Sequence, residues 1–149
     1  MDNIYSEQYL KELFNEMART YGVVNTLSSF GFNYLWRKVC VENAEIRDSD
    51  MVCDLMSGNG ENAFHIRKRI GDLICIDFSE IMARNCKRNC LRFKFRTEVI
   101  IENVFNLKLP DNSVDRIICS FGLKTLNLVD RKRLIDLMIS CLKGMAKFR

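Results

Sequence analysis

The chain has 149 residues, of which 48% are hydrophobic and 28% are charged, and its net charge is +4 at pH 7. This length suits one domain with a real core, and the composition is that of an ordinary soluble protein. The mild positive charge comes from scattered lysines and arginines, so it does not predict nucleic-acid binding. No run approaches the roughly twenty apolar residues of a membrane span, and the first residues lack the features of a signal peptide. We therefore expect a cytoplasmic protein.

The first 45 residues predict a helical N-terminal cap. Residues 6–20 carry apolar side chains at helical spacing and end at Tyr21-Gly22. Residues 23–39 are rich in aromatic side chains and predict one or two short helices broken at Gly31. This second segment is expected to be either a helical layer packed on a sheet or a lid over a ligand site.

Residues 46–149 alternate between apolar strand-like runs and helical patterns, and with the cap they form one expected domain. The predicted strands cover residues 51–55, 73–76, 98–101 and 114–120, with a short fifth strand at 146–149. The predicted helices cover residues 62–69, 79–91 with Ser79 as N-cap, and 130–143 with Asp130 as cap. Short links between strands and helices predict an α/β fold with a doubly wound, mostly parallel sheet. Ligands of such sheets bind beyond the carboxyl ends of the strands.

The run from Met51 to Ala63 reads as a buried strand, a tight turn and the start of a helix. Gly58 and Gly60 permit positive φ and close approach of a ligand to the backbone, and the predicted helix would direct its amide donors at that ligand. Asp77 ends the next strand, where an acid can hold two ribose hydroxyls. The pattern predicts a nucleotide-like ligand at this edge of the sheet.

Seven cysteines bear on redox state and metal binding. An odd number without a signal peptide predicts reduced thiols. Cys53, Cys75 and Cys119 lie in apolar runs and are expected to be small core residues. Cys86 and Cys90 share a helix face, but the chain has no CxxC pair and a single histidine. The sequence therefore predicts no metal site.

The order of these residues resembles a class I S-adenosylmethionine (SAM) methyltransferase. The resemblance is carried by Asp54-x-x-x-Gly58-x-Gly60, Asp77, Asn103-Val104 and Ser120-Phe121-Gly122. A closer resemblance is to the UbiE-type family, which C-methylates ubiquinone and menaquinone precursors. The stretches similar to that family are residues 14–25 with Ser29 and Trp36, residues 77–82, residues 109–115 and residues 120–123.

The resemblance implies a SAM site and roles for particular residues. The implied cofactor contacts are Gly58 and Gly60 at the amino-acid end, Asp77 and Phe78 in the ribose segment, Asn103 and the Val104 amide at the adenine, Asp54 in support of the loop, and Ser120 beside the methyl donor. Tyr21 and Lys124 are implied to face the acceptor and are the candidate catalytic residues. The implied reaction is C- or O-methylation of a small aromatic or quinone-like molecule.

The sequence departs from the family pattern at several positions, of which three bear on the site. Met56 stands where the family usually has Gly, Asn103 stands where it has Asp, and Lys124-Thr125 replaces an Arg-Asn pair near the acceptor. The family also continues for several more strands, so we expect an open sheet edge here. Such an edge templates pairing with another chain, which predicts a homodimer or a complex with a second polypeptide.

Two other functions fit parts of the sequence. Residues 58–63 satisfy the G-x-G-x-x-A pattern of a nicotinamide-dependent oxidoreductase, although Asp54 and a longer approach precede the first Gly. A methyltransferase-like subunit without catalysis fits the three departures. Thermal stabilisation by SAM but not by NADH would separate the oxidoreductase from a methyltransferase.

Overall fold

The computed structural model describes residues 7–18, 20, 32–66 and 70–144. In chain order the elements are α1 (Glu7–Met17), α2 (Phe32–Asn43), β1 (Met51–Leu55), a first 3₁₀ helix (Glu61–His65), β2 (Asp72–Asp77), α3 (Glu80–Cys90), β3 (Arg96–Ile101), β4 (Arg116–Ile118), a second 3₁₀ helix (Gly122–Thr125) and α4 (Leu128–Cys141). Among the described residues no helix is both long enough and apolar enough to span a membrane.

The four strands form one parallel sheet in the order β3-β2-β1-β4. β1 pairs with β2 on one side and with β4 on the other. The strand order therefore reverses at β1, with β2 and β3 on one side of it and β4 on the other. This arrangement confirms the predicted α/β, doubly wound parallel sheet. All four carboxyl ends meet at one edge, which is where a ligand is expected in such folds.

Alternate residues of the central strands belong to two separate apolar clusters. Val52 and Leu73 pack in one cluster with α2 and α3, whereas Cys53 and Ile76 pack in the other with Leu134 of α4. This period of two places helices on both faces of the sheet. The short apolar runs predicted both strands correctly because each is buried on both sides.

The helix predicted over residues 62–69 is wrong. The structure has a 3₁₀ helix of 5 residues, Glu61–His65, and Ile66 is already extended; residues 67–69 lie outside the described part. The fourth strand is also shorter than predicted, since Val114 forms only an isolated parallel bridge with Leu142. Tertiary packing overrides the local helical pattern after Gly60.

The last helix begins earlier than predicted. Asn127, not Asp130, is its N-cap, because the Asn127 Oδ1 accepts a hydrogen bond from the Asp130 amide at 2.9 Å. Ser79 caps α3 as predicted, with its hydroxyl accepting from the Met82 amide. The break at Gly31 and the predicted fifth strand at 146–149 lie outside the described residues.

Candidate functional site

The carboxylate of Asp77 organises the carboxyl edge of the sheet. It ends β2 and is only 6% exposed. Its Oδ2 accepts a hydrogen bond from the Gly58 amide at 2.8 Å, and its Oδ1 accepts one from the Ser79 amide at 2.9 Å. Burial raises the pKa of Asp77, while the two backbone hydrogen bonds oppose that rise. The carboxylate therefore links the loop after β1 to the start of α3.

The loop after β1 requires its glycines. Gly58 and Gly60 have φ of 57° and 79°, in the left-handed region that side chains disfavour. A Cβ at Gly60 would also lie 2.8 Å from the Cys86 Sγ. Two asparagines of α3 hold the loop from the other side, since Asn85 and Asn89 donate to the side chain and carbonyl of Asn59.

A cavity of about 270 Å³ opens on one side of Asp77. Most of its wall is apolar, and the lining residues include Leu10, Phe14, Met56, Ile76, Phe78, Val104, Phe105 and Leu126. The Phe14 and Phe78 rings meet edge to face with centroids 5.8 Å apart. Such walls suit a flat aromatic ring, with Asp77, Glu102 and Asn103 supplying polar groups.

A smaller cavity of about 40 Å³ lies on the other side of Asp77. It is bordered by the glycine loop at Ser57 and Gly58, and by Ser120 and Phe121 after β4. Both cavities share walls, formed by Phe14, Met56, Asp77, Phe78 and Thr125. Together they form an elongated site with an apolar end and a polar end.

Two buried hydroxyls at the polar end, Ser57 Oγ and Ser120 Oγ, have no hydrogen-bond partner. Four further buried oxygens that border neither cavity also have none: Asp54 Oδ2, Glu61 Oε2, Thr97 Oγ1 and Ser113 Oγ. Leaving such an atom unsatisfied costs about 1–3 kcal/mol, so native proteins do so mainly where a ligand or water supplies the partner. Ser57 and Ser120 border the small cavity directly. The polar end thus fits a ligand that carries both donors and acceptors, as an amino-acid group does.

Arg37 is a site residue that the sequence did not reveal. It lies on α2, is 6% exposed and borders the small cavity. Its guanidinium reaches the Asn62 Oδ1 at 3.5 Å and the Glu61 Oε2 at 3.8 Å, both long contacts. Its Cζ also lies 5.0 Å from the Phe121 ring centroid. A buried cation with such weak partners is suited to an anionic ligand group.

Asp54 borders neither cavity and supports the site indirectly, through its hydrogen bond with Asn62. It is fully buried, and its Oδ1 accepts a hydrogen bond from the Asn62 side chain at 2.9 Å. Burial raises its pKa to about 7, opposed by the Asn62 hydrogen bond and by the charge of Arg37. Asn62 touches both groups, so it connects the strand end to the cation of the site.

At the apolar end, Asn103 and Val104 border the larger cavity, where the resemblance places the adenine. The Asn103 Oδ1 accepts a hydrogen bond from the Phe105 amide at 3.0 Å, which fixes the turn after β3. Val104 is 6% exposed and presents apolar surface. Where the resemblance leads one to expect an aspartate, this chain has an asparagine whose side chain holds the turn.

Of the two candidate catalytic residues, the structure describes only Lys124. Tyr21 lies outside the described residues. Lys124 is exposed on the second 3₁₀ helix and borders neither cavity; its Nζ lies 4.9 Å from the Phe121 ring centroid. Phe121, which Lys124 contacts, borders the small cavity, and the residue after Lys124, Thr125, borders both cavities.

Met56 occupies the usual glycine position at the junction of the cavities. It adopts a left-handed φ of 55°, which costs a non-glycine residue about 1–2 kcal/mol. Its side chain fills the space beside Gly122, where an added Cβ would lie 2.6 Å from the Met56 Sδ. The strained backbone at Met56 thus occurs together with a glycine at position 122, which leaves room for the Met56 side chain.

A family model and the curated relatives both match most of this chain. The model of the ubiE/COQ5 methyltransferase family matches residues 2–148. A demethylmenaquinone methyltransferase of Desulfitobacterium hafniense is 29% identical over 140 residues, covering 91% of this chain and 54% of that protein. The chain therefore spans about half the length of the curated relatives it matches.

Two solved structures share the fold at low sequence identity. One is a Haloferax volcanii putative methyltransferase, solved in complex with the Trm112 methyltransferase activator (TM-score 0.68, 20% identity, 87% of this chain and 55% of that chain). Another is the [4+2]-cyclase SpnF (TM-score 0.67, 12% identity, 89% of this chain and 56% of that chain). Because the second is named as a cyclase, the shared fold does not fix the reaction.

The contact between Met56 and Gly122 predicts a strong energetic coupling. Gly122→Ala should lower the free energy of unfolding by about 1–3 kcal/mol, because the new methyl overpacks the Met56 side chain. Met56→Gly should rescue at least about 1 kcal/mol of that loss. Urea unfolding of the single and double variants measures the coupling. Gly71→Ala is the control, since its methyl would meet the Ser49 carbonyl instead; equal rescue there would contradict the interpretation.

The raised pKa of Asp54 predicts that the free energy of unfolding falls as the pH rises. Its pKa is higher in the folded chain than the ordinary 3.8, so the folded state holds the proton more tightly. Its contribution is present below about pH 4 and is lost as the pH rises through about 7, by on the order of 4 kcal/mol. Asp54→Asn should remove this slope in urea unfolding measured from pH 4 to 8.

Asp72→Asn is the matched control of opposite sign. The hydrogen bond from Arg96 lowers the pKa of Asp72, so the wild type should gain stability over this variant as the pH rises through the acidic range. An unchanged slope in Asp54→Asn would show that Asp54 is ionised in the folded chain at low pH, against the account above.

Proposed function

Since the chain belongs to the ubiE/COQ5 methyltransferase family, we propose that it binds SAM across the two cavities and methylates a small aromatic or quinone-like acceptor at carbon or oxygen. The observation that carries the proposal is the division of the site at Asp77. An apolar cavity suited to a flat ring lies on one side, and buried polar atoms without partners lie on the other.

The larger cavity would hold the adenosine part. Phe78 and Val104 supply apolar surface for the base, and Asn103 lies at the same wall. Asp77 would accept hydrogen bonds from the ribose hydroxyls. Each of its oxygens accepts one backbone hydrogen bond and retains a further acceptor position, because a carboxylate has about four.

The smaller cavity would hold the amino-acid part. Arg37 supplies a buried positive charge for a carboxylate. Gly58 brings backbone close to the ligand, while Ser57 and Ser120 contribute hydroxyls without a present partner.

Bound SAM supplies a methyl group already activated on a sulfonium, so the protein's contribution is mainly alignment of donor and acceptor. α1 covers the strand ends through Leu10 and Phe14 and so restricts water at the site. Its position is secured by a hydrogen bond from the Ser79 hydroxyl to the Asn15 Oδ1 at 2.6 Å. We propose Tyr21 and Lys124 as acceptor-side residues that assist loss of a proton from a phenol-like acceptor.

A second candidate is a methyltransferase-like subunit that binds the cofactor without catalysis. Met56 favours it, because this side chain narrows the junction of the two cavities where the family usually has Gly. SAM binding without methyl transfer to any quinol or phenol tested would support this candidate over the active enzyme.

Cofactor binding is tested by calorimetric titration with SAM, with its demethylated product, and with NADH. We expect both SAM and the product to bind and NADH not to bind. Asp77→Ala should weaken SAM binding by about 2–4 kcal/mol, because charge-assisted hydrogen bonds are lost. Asp72→Ala, at the other end of β2, is the control. Unchanged affinity in a folded Asp77→Ala chain would rule out the assignment.

The role of Arg37 is tested with a ligand that lacks the amino-acid part. Arg37→Gln should weaken the binding of SAM and of its demethylated product by roughly 10- to 100-fold, in line with the loss of a charged hydrogen bond. Its affinity for 5′-methylthioadenosine should stay within about twofold, which is under 0.5 kcal/mol. Equal losses for all ligands would indicate a structural role for Arg37 instead.

We also propose that the outer edge of β4 pairs with another chain, either a second copy or a different polypeptide. β4 pairs only with β1 among the described residues, and the one contact beside its start is the isolated bridge between Val114 and Leu142. The similar Haloferax protein was solved with an activator protein. Open apolar edges favour such pairing.

Light scattering on the purified chain tests the pairing. We expect a mass above the 17.4 kDa of one chain, or aggregation that a partner chain relieves. Leu137→Glu on α4 should disrupt the assembly if α4 lies in the interface. Asp136→Glu is the charge-conserving control on the same helix. A soluble, monodisperse monomer of the unaltered chain would contradict the proposal.

A further inference from the structure

Three cysteine thiols meet behind the glycine loop, outside the two cavities. Cys75 lies on β2, and Cys86 and Cys90 lie one turn apart on α3. Their Sγ atoms all lie within 4.8 Å of one another, and the three residues are 0%, 0% and 3% exposed. We call these three residues the thiol triad. The sequence predicted no metal site because it has no CxxC pair and a single histidine; only the fold brings Cys75 to the other two cysteines.

The donor set of the thiol triad is purely sulfur. Thiolates select soft ions such as copper(I) and zinc(II), but structural zinc sites almost always have four ligands. Among the described residues this group offers three. Three sulfurs around one ion at the ~2.3 Å metal–thiolate distance would lie ~4 Å apart. The triad would therefore need to contract by less than about 1 Å, a movement that side-chain rotation can supply.

We propose that the thiol triad is a three-coordinate site for copper(I). A bound copper(I) replaces thiol protons, which leave to solvent, and no electron transfer takes place. The positive charge of Arg92 acts on Cys90 and compensates part of the net charge of −2 that three thiolates and one copper(I) would carry, whereas the charge of Asp54 acts against it at Cys75 and Cys86. Cys90 is the last residue of α3 and is followed by turns and bends over residues 91–95. Opening of this helix end provides the entry path.

The thiol triad packs against the backbone of the proposed cofactor loop. A Cβ at Gly60 would lie 2.8 Å from the Cys86 Sγ and 3.4 Å from the Cys90 Sγ. The same helix holds the loop through the hydrogen bonds of Asn85 and Asn89 to Asn59. Contraction of the triad around an ion would therefore shift the loop and change SAM affinity. This consequence rests on the proposed function, and by linkage SAM would change copper affinity by the same factor.

The site is tested by anaerobic titration of the reduced full chain with copper(I) held by the chelator bathocuproine disulfonate. We expect one tightly bound copper(I) per chain. Cys75→Ser, Cys86→Ser and Cys90→Ser should each weaken binding roughly tenfold or more, the scale of lost metal-site interactions. Cys40→Ser and Cys119→Ser, which alter thiols outside the triad, should bind as the wild type does. Equal losses in the controls, or no loss in the triad variants, would overturn the proposal.

X-ray absorption on the unaltered copper-loaded chain keeps the test valid if a variant fails to fold. Three sulfur neighbours at ~2.3 Å are expected; two sulfurs, or nitrogen and oxygen neighbours, would contradict the triad. Copper stoichiometry does not depend on SAM, so failure of the cofactor proposal and failure of this one are distinguishable. A change in SAM affinity between copper-free and copper-loaded chains measures the coupling separately.

Discussion

The carboxylate of Asp77 is the interaction on which the carboxyl edge of this sheet depends. It receives the amides of Gly58 and Ser79, so one buried acid connects β2, the loop after β1 and the start of α3. The Asp77 carbonyl also accepts from the Glu102 amide at 3.2 Å, which brings in the turn after β3. Both cavities border this residue. The site is therefore assembled where the backbone donors of three loops converge.

The polar end of the site contains buried polar groups that lack good partners within the chain. Ser57 and Ser120 each have a buried hydroxyl without a hydrogen-bond partner, and Arg37 is buried with only long polar contacts. These groups destabilise the empty chain and stabilise a complex that satisfies them. A ligand with a carboxylate and an ammonium at one end and an aromatic ring at the other meets the requirements of both cavities.

The sequence predicted those features that short segments determine. Gly58, Gly60 and Asp77 follow from the turn and strand pattern, and the Ser79 cap follows from the side chain alone, because each depends on neighbouring backbone. Arg37 was missed because it reaches the site from α2 across the fold, although the buried i, i+4 spacing of Asn33, Arg37 and Val41 is a signal for it. The thiol triad and the shortened helix after Gly60 depend on tertiary packing. No local pattern could have distinguished them from core cysteines and an ordinary helix.

The most direct test of the central claim is a crystal structure of the chain bound to S-adenosylhomocysteine, the demethylated product of SAM. The account predicts the adenine ring beside Phe78 and Val104, the ribose hydroxyls on the Asp77 carboxylate, and the amino-acid carboxylate beside Arg37. The Met56 side chain should lie at the junction between the two parts of the ligand. A ligand bound elsewhere, or in the reverse orientation with its amino-acid end in the larger cavity, would contradict the account.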